Sequence, residues 1–317
     1  MKLLLAVLAF ACSTLAQAQA YPNRPVNIVV PYPPGGLIDL VARALQPFLQ
    51  TELGVPVVAE NHAGAGGNVG AEVVARAAPD GYTLLLANPS LAISPTLYKK
   101  LNYRPIEDLA YIGRYGSVAN VMVASPSQPF KTAQELIAYA KQHPGKLNYG
   151  SPGYGTSPQL SGELFKSMTG TYIVHIPFRG AGPATAALLG GEIEMMFDNI
   201  PPQVGNVKAG KVRALAVTGL KRNSALPDVP TLDEVGLKGY EVVSWFGLAT
   251  RAGTPREVVQ RLNAALNNSS RNPKLREILE SRGADVVQGT PEDFLNFVKA
   301  EIAKFAPVIK RTGVQVE

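Results

Sequence analysis

Cysteine is almost missing from this 317-residue chain, and the single one, Cys12, falls within the first twenty residues. That segment, MKLLLAVLAFACSTLAQAQA, has one lysine, an apolar run from Leu3 to Ala11 and a small-residue end at Ala18-Gln19-Ala20. It is the pattern of a secretory signal peptide cleaved after Ala20. Ala9-Phe10-Ala11 is a poor lipoprotein signal, so free export is expected. A mature chain starting at Tyr21 would hold no cysteine, which excludes disulfides, thiol catalysis and thiolate metal sites. The rest of the chain lacks any run of about 18 apolar residues able to span a bilayer. It also lacks a dense Lys/Arg run interleaved with aromatics, so nucleic acid is not an expected partner. Histidine is scarce: His62, His143 and His175 are too scattered to form a metal-ligand motif, and no metal or cofactor is expected. The formal charge of +6 is a mild bias toward anionic partners.

What is present is a globular composition, 46% hydrophobic and 17% charged. Its length suits one large or two medium domains. Val26-Asn27-Ile28-Val29-Val30 reads as a buried strand that enters the loop Pro31-Tyr32-Pro33-Pro34-Gly35-Gly36. Helical spacing of apolar residues follows to Leu53, with Gly54 as the stop. Further strands are expected at 55–59, 82–86, 121–123, 147–150, 173–176, 194–197, 213–218 and 245–249. Helices are expected at 69–78, 132–143, 158–168, 183–189, 255–267, 272–281 and 291–312. Alternation of this kind means parallel-rich sheets covered by helices, and so many elements divide better between two α/β lobes than in one sheet. No internal repeat or low-complexity segment is seen.

Enzyme signatures are thin. Ser151-Pro152-Gly153-Tyr154-Gly155 is not a nucleophile elbow, and no Walker lysine follows a glycine-rich loop. Gly64-Ala65-Gly66-Gly67-Asn68-Val69-Gly70 fails the dinucleotide-binding spacing because Val69 stands where the third glycine belongs. Asp80-Gly81 reads as a turn. More informative are four junctions where a strand gives way to a helix through Gly, Ser or Thr: Pro33 to Gly36, Asn88 to Ser90, Ser151 to Ser157, and Phe178 to Gly182. Helix N-termini offer unpaired N–H groups and partial positive charge, so four such junctions together suit a carboxylate. Trp245 is expected in the core or at an interlobe hinge.

These loops, in order, resemble the Bug family of periplasmic solute receptors that serve tripartite tricarboxylate transporters (the TctC type). The resemblance rests on Pro31-Tyr32-Pro33-Pro34-Gly35-Gly36, Glu60-Asn61-His62-Ala63-Gly64-Ala65-Gly66-Gly67, Ala78-Pro79-Asp80-Gly81-Tyr82, His175-Ile176-Pro177-Phe178-Arg179-Gly180, Phe197-Asp198-Asn199 and Trp245-Phe246-Gly247-Leu248. It implies a two-lobed class II periplasmic binding protein of the Venus-flytrap type, with lobes 21–122 plus 241–317 and 123–240, closing on a small organic carboxylate by a hinge. It implies no catalysis, a periplasmic monomer, and delivery to membrane permease subunits of the transporter. The implied ligand residues are Tyr32, Pro33, Pro34, Gly35 and Gly36, with Asn88 and Ser90 in the same lobe. Ser151, Tyr154, Gly155, Thr156, Ser157, Phe178, Arg179, Gly180 and Asp198 face them from the other. Leu37-Ile38 replaces a threonine common in the family and Tyr154 an asparagine, so Ile38, Tyr154 and Phe178 are expected to wall an apolar pocket suited to an aromatic or longer acid, with Arg179 on a second carboxylate. A secreted hydrolase-like α/β enzyme and a ligand-sensing subunit are the alternative functions.

Overall fold

The structure, a computed structural model, describes residues 21–317, so the expected signal peptide 1–20 lies outside the described residues. Its framework is a mixed sheet of ten strands. At one end β2 (Val57–Asn61), β1 (Val26–Val30) and β3 (Thr83–Ala87) run parallel. At the other end β7 (Met195–Asn199), β5 (Asn148–Ser151) and β6 (Val174–Pro177) do the same. The middle is antiparallel, made by β9 (Val243–Arg251) and β4 (Leu109–Ala124), with β8 (Arg213–Val217) and β10 (Ala284–Val286) also pairing with β4.

β4 is the element the sequence concealed. A strand was expected only at 121–123, yet it runs for 16 residues and changes partners part-way. Residues 109–119 pair with β9, whereas Asn120–Ala124 pair with β7 and, from Val121, with β8. The two halves of the molecule therefore share one continuous strand. Its buried residues lie on both faces, which erases the period-2 alternation that marks a half-exposed strand. Gly113 interrupts the apolar pattern as well, and it is glycine because a Cβ there would come within 2.9 Å of Asn263 and 3.1 Å of Leu266.

Among the described residues ten α-helices cover the sheet: α1 (Leu37–Leu53), α2 (Asn68–Ala75), α3 (Ser90–Leu97), α4 (Ala133–Gln142), α5 (Ser157–Thr169), α6 (Ala181–Gly190), α7 (Ile200–Lys208), α8 (Arg256–Arg271), α9 (Pro273–Glu280) and α10 (Pro291–Thr312). Two of these, α3 and α7, were not expected as helices; Pro95 lies inside the first, and Pro201-Pro202 opens the second. One core gathers Ile28, Val30, Leu45, Leu84, Phe246 and Leu262, and another gathers Met122, Tyr149, Phe165, Phe197 and Leu215. The long α10, started by a Thr290/Asp293 capping box, is a strut across both halves. Its Phe294 and Val298 pack with Trp245, and its Phe305, Val308 and Ile309 enter the core around Tyr149 and Phe165. Trp245 is a core residue, fully buried, with its indole N–H donating to Glu301 Oε2 at 3.2 Å.

Gly247 marks where α10 presses on the sheet, since a Cβ there would stand 2.5 Å from the Phe294 ring and 2.6 Å from the Gly113 carbonyl oxygen. Gly247→Ala should therefore overpack this layer and lower the unfolding free energy by roughly 1–3 kcal/mol in urea denaturation. An unchanged midpoint and slope would show that helix and sheet separate there without cost.

Candidate functional site

Five strands lead directly into helices at their C-terminal ends, β1 into α1, β3 into α3, β5 into α5, β6 into α6 and β7 into α7. The N-cap residues of those helices are Gly36, Pro89, Thr156, Gly180 and Asn199, and all five line one cavity of about 220 Å³ between the halves of the sheet. The first N–H groups of a helix have no partner within it and carry partial positive charge. In α1 the first intrahelical bond is donated by Leu40 to the Gly36 carbonyl, so the amides of Leu37, Ile38 and Asp39 have no acceptor inside the helix. Among the described residues that line the cavity, Arg179 is the only charged side chain and none is an acid. The chemistry on offer is a partly enclosed seat for an anion.

The first loop is braced from beneath. Gly35 adopts φ +88°, a region costly for any residue with a Cβ, and its N–H donates to Asp39 Oδ2 at 3.0 Å. That amide is thereby already taken by the protein. Asp39 Oδ1 accepts from Arg43 Nε and from Asn61 Nδ2, each at 2.9 Å, and Asn61 Nδ2 also donates to the Tyr32 carbonyl. Burial alone would raise the Asp39 pKa, but the hydrogen bonds from Arg43, Gly35 and Asn61, with the Arg43 charge, hold it below the usual carboxylate range. Asp39 thus clamps the loop as a carboxylate favoured in its ionised form. The Tyr32 hydroxyl donates to the Gly66 carbonyl at 2.8 Å, and burial pushes its pKa so far up that it remains a neutral donor.

On the opposite side, Thr156 Oγ1 donates to the Gly153 carbonyl at 2.7 Å and accepts from the Gln159 N–H at 3.3 Å, which fixes the start of α5. Asn120, where β4 changes partners, ties the entries of α5 and α7 together. Its Oδ1 accepts from Asn199 Nδ2 at 2.6 Å and from Ser157 Oγ at 3.4 Å, while its Nδ2 donates to Ser161 Oγ at 2.9 Å. Sequence reasoning missed Asn120, Asn199 and the cavity-lining Ser244. The Pro201-Pro202 pair just past Asn199 was the available signal, because proline favours the first turn of a helix and so points to a cap before it.

Of the expected site residues, Tyr32 to Gly36, Ile38, Asn88, Thr156, Ser157, Arg179 and Gly180 do come together around the cavity. Others stand behind it. Ser90 is fully buried beneath the wall, with its N–H donating to Asn88 Oδ1. Ser151 Oγ is engaged at 2.7 Å by His175 Nε2, and that imidazole stacks on Tyr149; burial, and secondarily the Lys166 charge, lower its pKa to about 3 and keep it neutral. Asp198 is completely buried, accepting from the Asn199 N–H and from Gln203 Nε2, both at 2.8 Å. The expected apolar wall is also split. Ile38 lines the cavity, whereas Tyr154 and Phe178 line a neighbouring cleft of about 570 Å³ with Tyr98 and the Gly64–Gly67 turn. Tyr32, Pro33, Pro152, Thr156, Arg179 and Gly180 border both spaces. Gly155 borders neither and instead packs against Gly66.

Residues 41–314 match the model of the tripartite tricarboxylate transporter family receptor. The chain is 38% identical to the periplasmic binding protein BugD, with a TM-score of 0.87 over 94% of this chain and 100% of that one. An R. palustris protein solved with adipate is 35% identical, with a TM-score of 0.88 over 93% and 99% of the two chains. MatC from Rhodopseudomonas palustris, solved with bound malate, is 34% identical, with a TM-score of 0.86 over 91% and 100%.

Two substitutions test this geometry. Gly35→Val forces a branched residue into φ +88°, a strain of order 1–3 kcal/mol that displaces the loop. Calorimetry should find anion affinity reduced about tenfold or more in a variant with wild-type circular dichroism, and an unchanged affinity would remove the loop from the site. Burial raises the Asp198 pKa to about 7, the hydrogen bonds from Gln203 and Asn199 only partly opposing it. The folded protein therefore holds a proton that the unfolded chain releases near pH ~4, so this contribution to stability is full below about pH 4 and is lost as pH rises through about 7. Asp198→Asn cannot titrate, and its stability relative to the ligand-free wild type should improve steadily across that window. A pH-independent difference would show that Asp198 is ionised throughout.

Proposed function

Because the chain belongs to the tripartite tricarboxylate transporter receptor family, we propose that the 220 Å³ cavity is its ligand seat and holds a small organic carboxylate at the five converging helix N-termini. The protein is a two-lobed solute-binding receptor, and BugD, to which it is similar, is a periplasmic binding protein. Convergence of five N-caps on a cavity lined by one cation and no acid is the observation that carries the reading.

In this reading one carboxylate is met by the Leu37 and Ile38 amides and by Asn88 from one lobe. From the other it is met by the amides of Ser157, Ala181 and Gly182 and by the Asn199 side chain. Arg179 takes a second carboxylate, its guanidinium fork suiting a diacid. Lobe one comprises residues 21–122 with 241–317 and lobe two residues 123–240, a division supported by the partner exchange along β4. The lobes close by bending at that strand. The first twenty residues direct export and are cleaved after Ala20, and the loaded monomer delivers its ligand to the membrane permease subunits of the transporter. Adipate and malate, bound by relatives, set the size class. With Tyr154 and Phe178 in the neighbouring cleft, the cavity favours aliphatic diacids over aromatic ones.

A thermal-shift series tests this. At 100 times its dissociation constant a ligand stabilises by about 2.7 kcal/mol. Malate or adipate should raise the melting temperature of the mature protein while the corresponding diamides leave it unchanged, and Arg179→Gln should weaken diacids more than monoacids. Equal shifts from acids and amides, or none from either, would contradict the reading.

A further inference from the structure

Beside the ligand cavity the two lobes meet along a seam made of backbone. The 3-10 turn Ala65–Gly67 of lobe one lies against the Tyr154-Gly155 loop of lobe two so closely that a Cβ on Gly66 would stand 2.5 Å from the Tyr154 carbonyl oxygen and 2.7 Å from the Tyr98 hydroxyl. On the facing side, a Cβ on Gly155 would stand 3.5 Å from the Gly66 carbonyl oxygen. Gly66 and Gly155 have φ of +64° and +75°. The turn is also tied to the ligand loop, because the Gly66 carbonyl accepts the Tyr32 hydroxyl at 2.8 Å and a Cβ on Gly67 would meet that hydroxyl at 3.2 Å. Neither Gly66 nor Gly155 borders the ligand cavity.

We propose that this seam is the latch of the receptor: Gly66, faced by Gly155, is the positioning residue that lets the lobes close until backbone meets backbone, and Tyr32 links that contact to the loop that holds the carboxylate. This rests on the reading of the cavity as a carboxylate seat. A latch that forms only after the ligand has entered governs escape more than entry, so its loss should appear in the dissociation rate. Gly66→Ala inserts a methyl into the seam and keeps the lobes apart. Gly170, which ends α5, supplies the control, since it has the same φ of +64° with nothing within 4 Å of its Cβ position. Gly170→Ala thus imposes the same backbone strain away from the seam.

The experiment measures association and dissociation rates for malate and adipate on wild type, Gly66→Ala and Gly170→Ala, with X-ray scattering at saturating ligand. Gly66→Ala should dissociate about tenfold faster, associate within about twofold of wild type, and keep a larger radius of gyration with ligand bound; Gly170→Ala should match wild type in all three. Should Gly66→Ala fail to fold, Gly155→Leu, whose side chain extends past a Cβ position already in contact with the Gly66 carbonyl oxygen at 3.5 Å, carries bulk into the seam from lobe two and should show the same pattern. Wild-type rates in a folded seam variant would overturn the latch, as would an equal loss in Gly170→Ala. Absence of binding by all the proteins would overturn the carboxylate reading itself, an outcome distinct from a seam variant that binds as wild type does.

Discussion

The structure depends on one electrostatic circumstance, that five helices begin at the same small volume. Each contributes unsatisfied N–H groups and the positive end of its dipole, and the effect is confined to the first turn of each helix. Two of those ends, α1 and α3, belong to one lobe, and three, α5, α6 and α7, to the other. In an empty cleft they repel, and an anion between them converts that repulsion into attraction from both sides. In the proposed reading, closure is thereby tied to the charge of the ligand more than to its shape. Any small carboxylate can recruit such a field, and the number and spacing of its charges then decide how much of it is used.

Holding the ends in register takes buried polar groups that never touch the ligand. Asp39 clamps the first loop through Gly35 and Asn61, and Asn120 ties the entries of α5 and α7 to the point where β4 passes from one set of partners to the other. A buried amide or carboxylate left unpaired costs about 1–3 kcal/mol, so these networks have one satisfied arrangement and few alternatives. Tyr32 carries the order further, reaching from the ligand loop to the Gly66 turn where the lobes touch. The proposed seat, the brace and the proposed latch are therefore linked through Tyr32.

Much of this was legible in the sequence because glycine and proline announce loop geometry. Pro33 to Gly36, Ser151 to Ser157 and Phe178 to Gly182 mark helix entries in words of one residue each, and the family resemblance puts them in one cleft. The helices α3 and α7 escaped notice because prolines inside or at the start of them read as breakers. β4 escaped because burial on both faces removes alternation. Inside the loops, proximity in sequence did not reveal which way a side chain turns. Ser151, Ser90 and Asp198 sit at the right junctions but are buried in the protein, where His175 engages the Ser151 hydroxyl, Gln203 donates to the Asp198 carboxyl and Asn88 accepts the Ser90 backbone N–H. Asn199, one residue beyond Asp198, faces the cavity, as expected when successive strand residues point to opposite sides. Tyr154 and Phe178 stand across a shared wall from Ile38, a separation set by tertiary packing and not by any local pattern.

The central claim is that the cleft stabilises the ionised form of a carboxylate. It is tested most directly by following the carboxyl carbons of ¹³C-labelled adipate or malate bound to the mature protein as pH is lowered from 7 toward about 4, where ordinary carboxyl groups begin to take up protons. The account predicts that the bound resonances stay at their ionised positions below the pH at which the free acid titrates, so that binding lowers the carboxyl pKa values. Bound carboxyls that titrate at or above their values in water would contradict it.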